Sequence, residues 1–335
     1  MKKRITIEDV ARASHVSVAT VSLVMRGRTG INIETRKRVE QVARALGYQR
    51  RRVRNEHHVQ RISVLMRQQH AHMTPYLIDM HVLQGIEDVC RRRGIRNDVR
   101  HVVISDTRDS VTPILFPQQY EYGGVIGVGV NADDYLYDQF HDANMPCVIV
   151  DVDQPSQRFD TVYVDYTQAV SDLMSYLVAI GHRSVALIDM HDESPQWQST
   201  LCRAIAQFGM IEPHIHTIHT TPDAVHALMY ELFQQHPQVS TIICRNDAVA
   251  LQVIEQLQHM GRYVPQGISV VGFHDVVSTV DTTALTTIRV DAMALGVLAV
   301  QTLLHRIEWP NTPRLNTTVQ ATLVIRQSTQ PHGVI

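Results

Sequence analysis

The sequence predicts an α/β protein: a small all-α head, then a body of two doubly wound, parallel-sheet lobes. Three observations carry that prediction. From Ile62 onward, short apolar runs alternate with amphipathic stretches, and strand–helix alternation gives a parallel sheet with crossovers. Residues 1–61 instead hold three short helical patterns and no strand-like run. Charge divides at the same place. Residues 1–61 carry 15 Lys+Arg against five acids, a net +10, while the rest of the 335-residue chain is net −12. A basic head on an acidic body reads as a polyanion-binding module joined to something else; the plainer alternative is a solvated charged face.

In the head, Ile7, Val10, Ala11 and Ala13 recur at helical spacing. Thr6 is a candidate cap, and Glu8 and Asp9 suit the first turn, where the dipole favours acids. This helix ends near Ser14-His15. A second begins at Ser17, with Val21 and Val24 as its apolar face. A third follows Asn32, puts Val39, Val42, Ala43 and Leu46 inward, and stops at Gly47. Two short helices joined by a tight turn and braced by a third make a helix-turn-helix module, expected over 1–48. Residues 49–61, with the run RRRVR, read as a linker.

In the body, strand-like runs are ISVLM (62–66), GGVIGV (123–128), PCVIVD (146–151), TVYVD (161–165), SVALID (184–189), STIIC (240–244) and ISVVGF (268–273). Helix-like segments lie near 76–93, 132–143, 166–180, 196–208, 223–235, 247–260 and 292–307. So many elements suit two lobes better than one. Residues 105–122 are poorly patterned. Cys90, Cys147, Cys202 and Cys244 form no C-x-x-C pair, which points to a reducing compartment. The basic start has no apolar h-region, and no apolar run approaches the ~18 residues that span a bilayer. A cytoplasmic protein without membrane contact is expected.

The strings TIEDVARASHVSVATVSLVMRG and INIETRKRVEQVARALGYQ resemble the heads of the lactose/galactose-repressor (LacI/GalR) family of bacterial transcription regulators. LQGIE (83–87), GHRSVALI (181–188), RNDAVA (245–250), VPQGISVVGFHD (264–275), ALTTIRVDAMALG (284–296) and VIRQST (324–329) look like landmarks of its body, so the resemblance covers nearly the whole chain. It implies a helix-turn-helix head, a hinge over 49–61, and a periplasmic-binding-protein-like body over 62–335. Lobe 1 would take about 62–160 and 290–318, and lobe 2 about 163–288 and 319–330. It also implies a homodimer, or a tetramer, on a pseudo-palindromic double-stranded DNA operator. The short polar tail after Thr329 has no leucine heptad, which favours the dimer.

A recognition helix enters the major groove by its N-terminal residues. By the resemblance it is about Ser17–Met25. Val18, Ala19 and Leu23 are the base-edge candidates, and apolar side chains read thymine methyls rather than making bidentate hydrogen bonds. Thr6, Ser17, Thr20, Ser22 and Arg26 are candidates to hold phosphates and fix register. The alternative for Val18 and Leu23 is simple core packing. His15 stands where such modules usually carry Gly, so a left-handed turn there is affordable but not free. In the family's hinge a Leu wedges into the minor groove; the corresponding residue here is His57, a poor apolar wedge. Arg50, Arg51, Arg52 and Arg54 would act on phosphates instead, predicting steep salt dependence and weaker kinking.

The resemblance also implies a small-molecule effector, often a sugar, between the lobes, held by an Arg early in a lobe-2 helix and an Asp just after the VVGF strand. Here those positions fall on Trp197 and His274. Asp151, Asn246 and Asp275 remain as polar candidates. The departures weaken a plain sugar reading: Trp197 either stacks on a ligand or packs the cleft shut. Asp247 is read as a helix cap. A regulator without an effector, and a solute-binding protein for a transporter, stay as alternatives; the second explains neither the basic head nor the missing signal peptide.

Enzyme readings find little support, and no cofactor is expected. There is no G-x-S-x-G, P-loop or G-x-G-x-x-G, and GVGVN (127–131) has too few glycines. His214 and His216 in HIHTIH point to one face of a strand, but neither they nor His219 have a further ligand at zinc spacing. His70 and His72 are likewise weak. No metal site is expected.

Overall fold

The computed structural model describes residues 6–25, 32–46, 59–68, 77–103, 123–129, 140, 145–150, 156, 158–190, 196–218, 222–276 and 285–333. The expected linker 49–58, Arg26, the 105–122 stretch, most of the 132–143 segment, Asp151, His70, His72 and His219 lie outside them. The chain divides into two compact units, 1–57 and 58–335.

The head unit has three helices, α1 (Ile7–Ser14), α2 (Val18–Met25) and α3 (Ile33–Leu46). Thr6 and Asp9 form a reciprocal capping box at the start of α1: Asp9 N–H donates to Thr6 Oγ1 at 3.4 Å, and Thr6 N–H to Asp9 Oδ2 at 2.9 Å. His15 ends α1 at φ 54°, ψ 43°, in the left-handed region. The turn then closes by Val16 N–H donating to Ala11 O at 3.1 Å. Ser17 Oγ accepts from Thr20 N–H at 3.0 Å, the N-cap bond of α2. Asn32 does the same for α3 through Glu34 N–H at 3.0 Å. The core is Val10, Ala11, Val21, Val24, Val39 and Ala43, with Val16 and Val42 against it. Two expected inward residues do not join it. Ala13 is exposed, and so is Leu46 on the last turn of α3.

The body unit holds two six-stranded sheets. The first has the order β11-β5-β4-β3-β1-β2, all parallel, from β1 (Arg61–Gln68), β2 (Arg96–Val103), β3 (Val125–Val128), β4 (Cys147–Val150), β5 (Asp160–Asp165) and β11 (Asn316–Gln320). The second has the order β12-β10-β9-β8-β6-β7, from β6 (Val185–Met190), β7 (His214–Ile218), β8 (Thr241–Cys244), β9 (Ser269–His274), β10 (Thr286–Arg289) and β12 (Thr322–Val324); β12 alone runs antiparallel. The interior strands are buried on both faces, as parallel sheets with helices on either side require. Strands β2, β10, β11 and β12 were not among the predicted runs.

Helices α4 (Leu77–Arg93) and α9 (Ala292–Glu308) pack together on the first sheet. Gly85 and Gly296 make that possible: a Cβ on Gly85 would fall on the Met293 carbonyl, and one on Gly296 on the Val82 carbonyl. Arg306 on α9 grips Asp160 of β5 with two bonds of 2.7 Å, and Leu315 N–H adds a third at 2.8 Å. The second sheet carries α5 (Thr167–Ala179), α6 (Gln196–Gln207), α7 (Pro222–Gln235) and α8 (Asp247–His259).

The chain passes between the sheets three times, at 165–167, 289–292 and 320–322. Past β12 the chain is stitched to the second sheet. Ser328 Oγ donates to Val270 O at 2.6 Å and accepts from Thr286 N–H at 2.8 Å. Buried His182 meets Ser240 Oγ at 2.8 Å and Gln330 O at 3.1 Å, and burial pushes its pKa down to about 4.

Candidate nucleic-acid interface and ligand cavity

On α2, Val21 and Val24 are buried while Val18 and Leu23 are 41% and 38% exposed. The alternative that Val18 and Leu23 are core is therefore excluded within this unit. Both sit off the face that packs on α1 and α3, with Val18 in the first turn, where a recognition helix meets base edges. Thr20 is half-buried, and its hydroxyl lies 2.8 Å from Ser17 Oγ. Ser17 and Thr6 are exposed, but their hydroxyls already serve the caps. Ala19 and Ser22 belong to α2, and nothing is described of their side chains. Arg26, Arg50, Arg51, Arg52, Arg54 and His57 lie outside the described residues.

In the body, the candidate ligand residues gather at the C-terminal ends of β6, β8 and β9, the end at which parallel α/β sheets bind ligands. Trp197, in the first turn of α6, is buried at 6% exposure and meets Phe273 edge-on, with ring centroids 5.5 Å apart. The Arg245 guanidinium lies 5.5 Å from the Trp197 ring centre. Its Nε is 3.9 Å from Asp189 Oδ1, and the other oxygen of buried Asp189 accepts from Gln198 Nε2 at 2.7 Å. Sequence reasoning missed Arg245 and Asp189. It looked for the cation at position 197 and found a Trp; the fold brings a cation to the same ring from the end of β8.

Asn246, not Asp247, caps α8: its Oδ1 accepts from Val249 N–H at 2.9 Å. Asp247 is instead buried against β9 and β10, accepting from Thr287 Oγ1 at 2.7 Å and Val276 N–H at 2.9 Å. Burial pushes its carboxyl up to about 6. His274 and Asp275 both have positive φ, 94° and 57°, a costly conformation for side-chain-bearing residues that concentrates at functional sites. Burial, with Arg245 nearby, pulls the His274 imidazole down to about 3. Burial raises the Asp275 carboxyl, but bonds from Arg326 at 2.8 and 2.9 Å and from Arg289 at 2.7 Å outweigh it and hold it below the usual range. Trp197, Asn246, His274 and Asp275 are thus at one end of the second sheet; Asp151 lies outside the described residues.

A cavity of about 500 Å³ opens beside Trp197. Tyr163 of β5 and Thr318 of β11 line it from the first sheet; Tyr166, Thr200, Trp197 and Phe273 line it from the second. Among the described residues no cluster of His, Cys, Asp or Glu is arranged to hold a metal ion, and no described helix is long and apolar enough to cross a membrane. His214 stacks on His236 at 3.5 Å rather than converging with His216 on a common point.

A helical head with an exposed apolar reading face, and a two-sheet body with a cavity where the sheets meet, define a nucleic-acid-binding module fused to a ligand-binding module. Residues 6–51 match the bacterial regulatory proteins of the lacI family, and residues 174–329 match the periplasmic binding protein-like domain. The HTH-type transcriptional regulator MalR of Streptomyces coelicolor is 26% identical, with 96% of each chain covered. The HTH-type transcriptional repressor CytR of Escherichia coli is 25% identical over 97% of this chain and 96% of its own. A lac repressor dimer bound to operator and an anti-inducer has the same fold, with TM-score 0.68 at 21% identity, covering 98% of this chain and all of the other. The chain belongs to the lacI family of bacterial regulatory proteins.

Proposed function

We propose that the protein is a sequence-specific DNA-binding transcriptional regulator, a repressor, that binds a pseudo-palindromic operator as a homodimer. The observation that carries this reading is the α2 face: Val18 and Leu23 are turned out of a core that keeps Val21 and Val24. Solvent-facing apolar side chains on the reading helix suit contact with thymine methyls. The basic head supplies the phosphate attraction, through Arg26 and Arg50, Arg51, Arg52 and Arg54. Relatives named as repressors, and a related dimer seen on operator, support repression and dimerisation. The body is read as non-enzymatic, working in the cytoplasm and relaying ligand binding as a change in lobe closure.

The test is selection of genomic fragments by the purified protein at roughly physiological salt, where non-specific phosphate binding is weak. The expected result is a few fragments sharing one inverted repeat, with Val18→Ala changing the preferred repeat. Recovery no better than bulk DNA would sink the reading. A regulator without an effector is the second reading. It is favoured by the Asp275 carboxylate, which is already bonded to two arginines. A thermal-shift screen separates the two, since a ligand that binds only the folded body raises its midpoint.

A further inference from the structure

The cavity beside Trp197 carries a statement about what it holds, resting on the reading of this end of the body as its ligand site. Trp197 is more than nine-tenths buried, lines the cavity, and its indole N–H has no hydrogen-bond partner among the described residues. A buried donor left unmade is costly, by about 1–3 kcal/mol in general, so an orphan donor lining a cavity of this size points to a ligand acceptor.

The neighbouring carboxylates say what that ligand is not. Asp165 accepts from Thr167 N–H, Asp189 from Gln198 and Met190 N–H, Asp247 from Thr287 and Val276 N–H, and Asp275 from Arg289 and Arg326. A polyol presents several hydroxyl donors that want acceptors, and these four are already engaged. The walls say what the ligand is. Tyr166, Phe273 and Trp197 form a run of rings, with centroids 5.9 Å and then 5.5 Å apart, each tilted on the next. Tyr163 lines the same cavity from the first sheet. Aromatic walls favour a planar partner, through offset-stacked and edge-to-face contacts.

We infer that the cavity takes a planar, uncharged ring compound of the aromatic lactam or heteroaromatic carbonyl class, whose acceptor atom receives the Trp197 indole N–H. Tyr163 and Thr318 touch the same space from the first sheet, so occupancy bears on how the two sheets are held together.

The test uses the full chain with Trp309→Phe, which leaves Trp197 as the sole tryptophan of the two in the sequence. Trp309 is half exposed just after α9, so the change is mild. Quinolin-2-one, decahydroquinolin-2-one and glucose are titrated while the indole N–H resonance is followed. Quinolin-2-one is expected to move that resonance downfield and to bind at least about tenfold more tightly than its puckered counterpart, the equivalent of one good contact. Trp197→Phe, read by calorimetry, is expected to cost about tenfold in quinolin-2-one affinity; should that variant not fold, the resonance in the Trp309→Phe protein decides alone. A resonance that glucose moves and quinolin-2-one does not would overturn the planar class and leave the ligand site standing. A resonance that none of the three moves would overturn the inference as well; the ligand-site reading is then judged separately, by the thermal-shift screen.

Discussion

The head and the body solve the burial problem in opposite ways. The head's core is six small side chains, Val and Ala only, so its helices depend on local chemistry: a capping box at Thr6, a serine cap at Ser17, an asparagine cap at Asn32. The body has two sheets whose inner strands are buried on both faces, and it can bury polar groups such as Asp160, Asp189 and His182 because each finds partners. A unit with so little interior keeps its surface available, and the head leaves Val18 and Leu23 outside. A unit with ample interior can instead keep a cavity and an unpartnered indole.

Four measurements sharpen or break that contrast, and both tryptophans lie in the body, so their fluorescence follows it alone. The largest effect is expected from Arg306→Ala, which strands the nearly inaccessible Asp160 carboxylate. Removing one partner of a buried pair typically costs about 3–5 kcal/mol, so the fluorescence midpoint should fall steeply while amide exchange in α1–α3 stays unchanged. Gly296→Ala comes next. Its new methyl meets backbone rather than a movable side chain, and overpacking costs about 1–3 kcal/mol; an unaltered midpoint would mean that α4 and α9 separate freely.

Within the head, Val21→Ala should cost about 1.5–2 kcal/mol from two buried carbons and the space left behind. Val18→Ala should leave stability nearly untouched and change only DNA preference. Equal loss of stability from both would erase the distinction between the two faces of α2.

The smallest effect is pH dependence of the body. His182 and His274 are held neutral in the fold, with pKa values pushed down to about 4 and about 3. Their contribution is complete above pH 6.5 and is lost as pH falls toward those values. Asp247, raised to about 6, opposes them: it gains stability as pH falls through that value toward 3.8. With two groups against one, the midpoint should fall between pH 6.5 and 4, and Asp247→Asn should steepen the fall. A midpoint that rises over this range would mean the two imidazoles are not held neutral.

What could be read from the sequence follows the same division. Interior strands such as VIGV and CVIV announce themselves as continuous apolar runs because both faces are covered. The strands that went unseen are mostly at or near sheet edges: β2 reads RNDVRHVV and β11 reads NTTVQ, polar on the side that meets solvent. Thr6, Ser17 and Asn32 were legible as caps because capping is local. Arg245 was not, since a lone arginine after a strand has no local signature; only the fold lays it over Trp197 and beside Asp189. Asp247 was misread for the same reason: its partners Thr287 and Val276 lie about 30 to 40 residues away in sequence.

The placement of β11 and β12 has a consequence for how the protein is made. Residues 316–320 complete the first sheet, and 322–332 complete and lock the second. A ribosome delivers those residues after nearly everything else, so neither sheet is finished until the end of the chain emerges. The head, whose contacts all lie within residues 6–46, has no such wait. Translation that halts before residue 316 therefore releases a complete DNA-reading head attached to an unfinished body, one with the means to approach DNA but without the assembled cavity that would govern it.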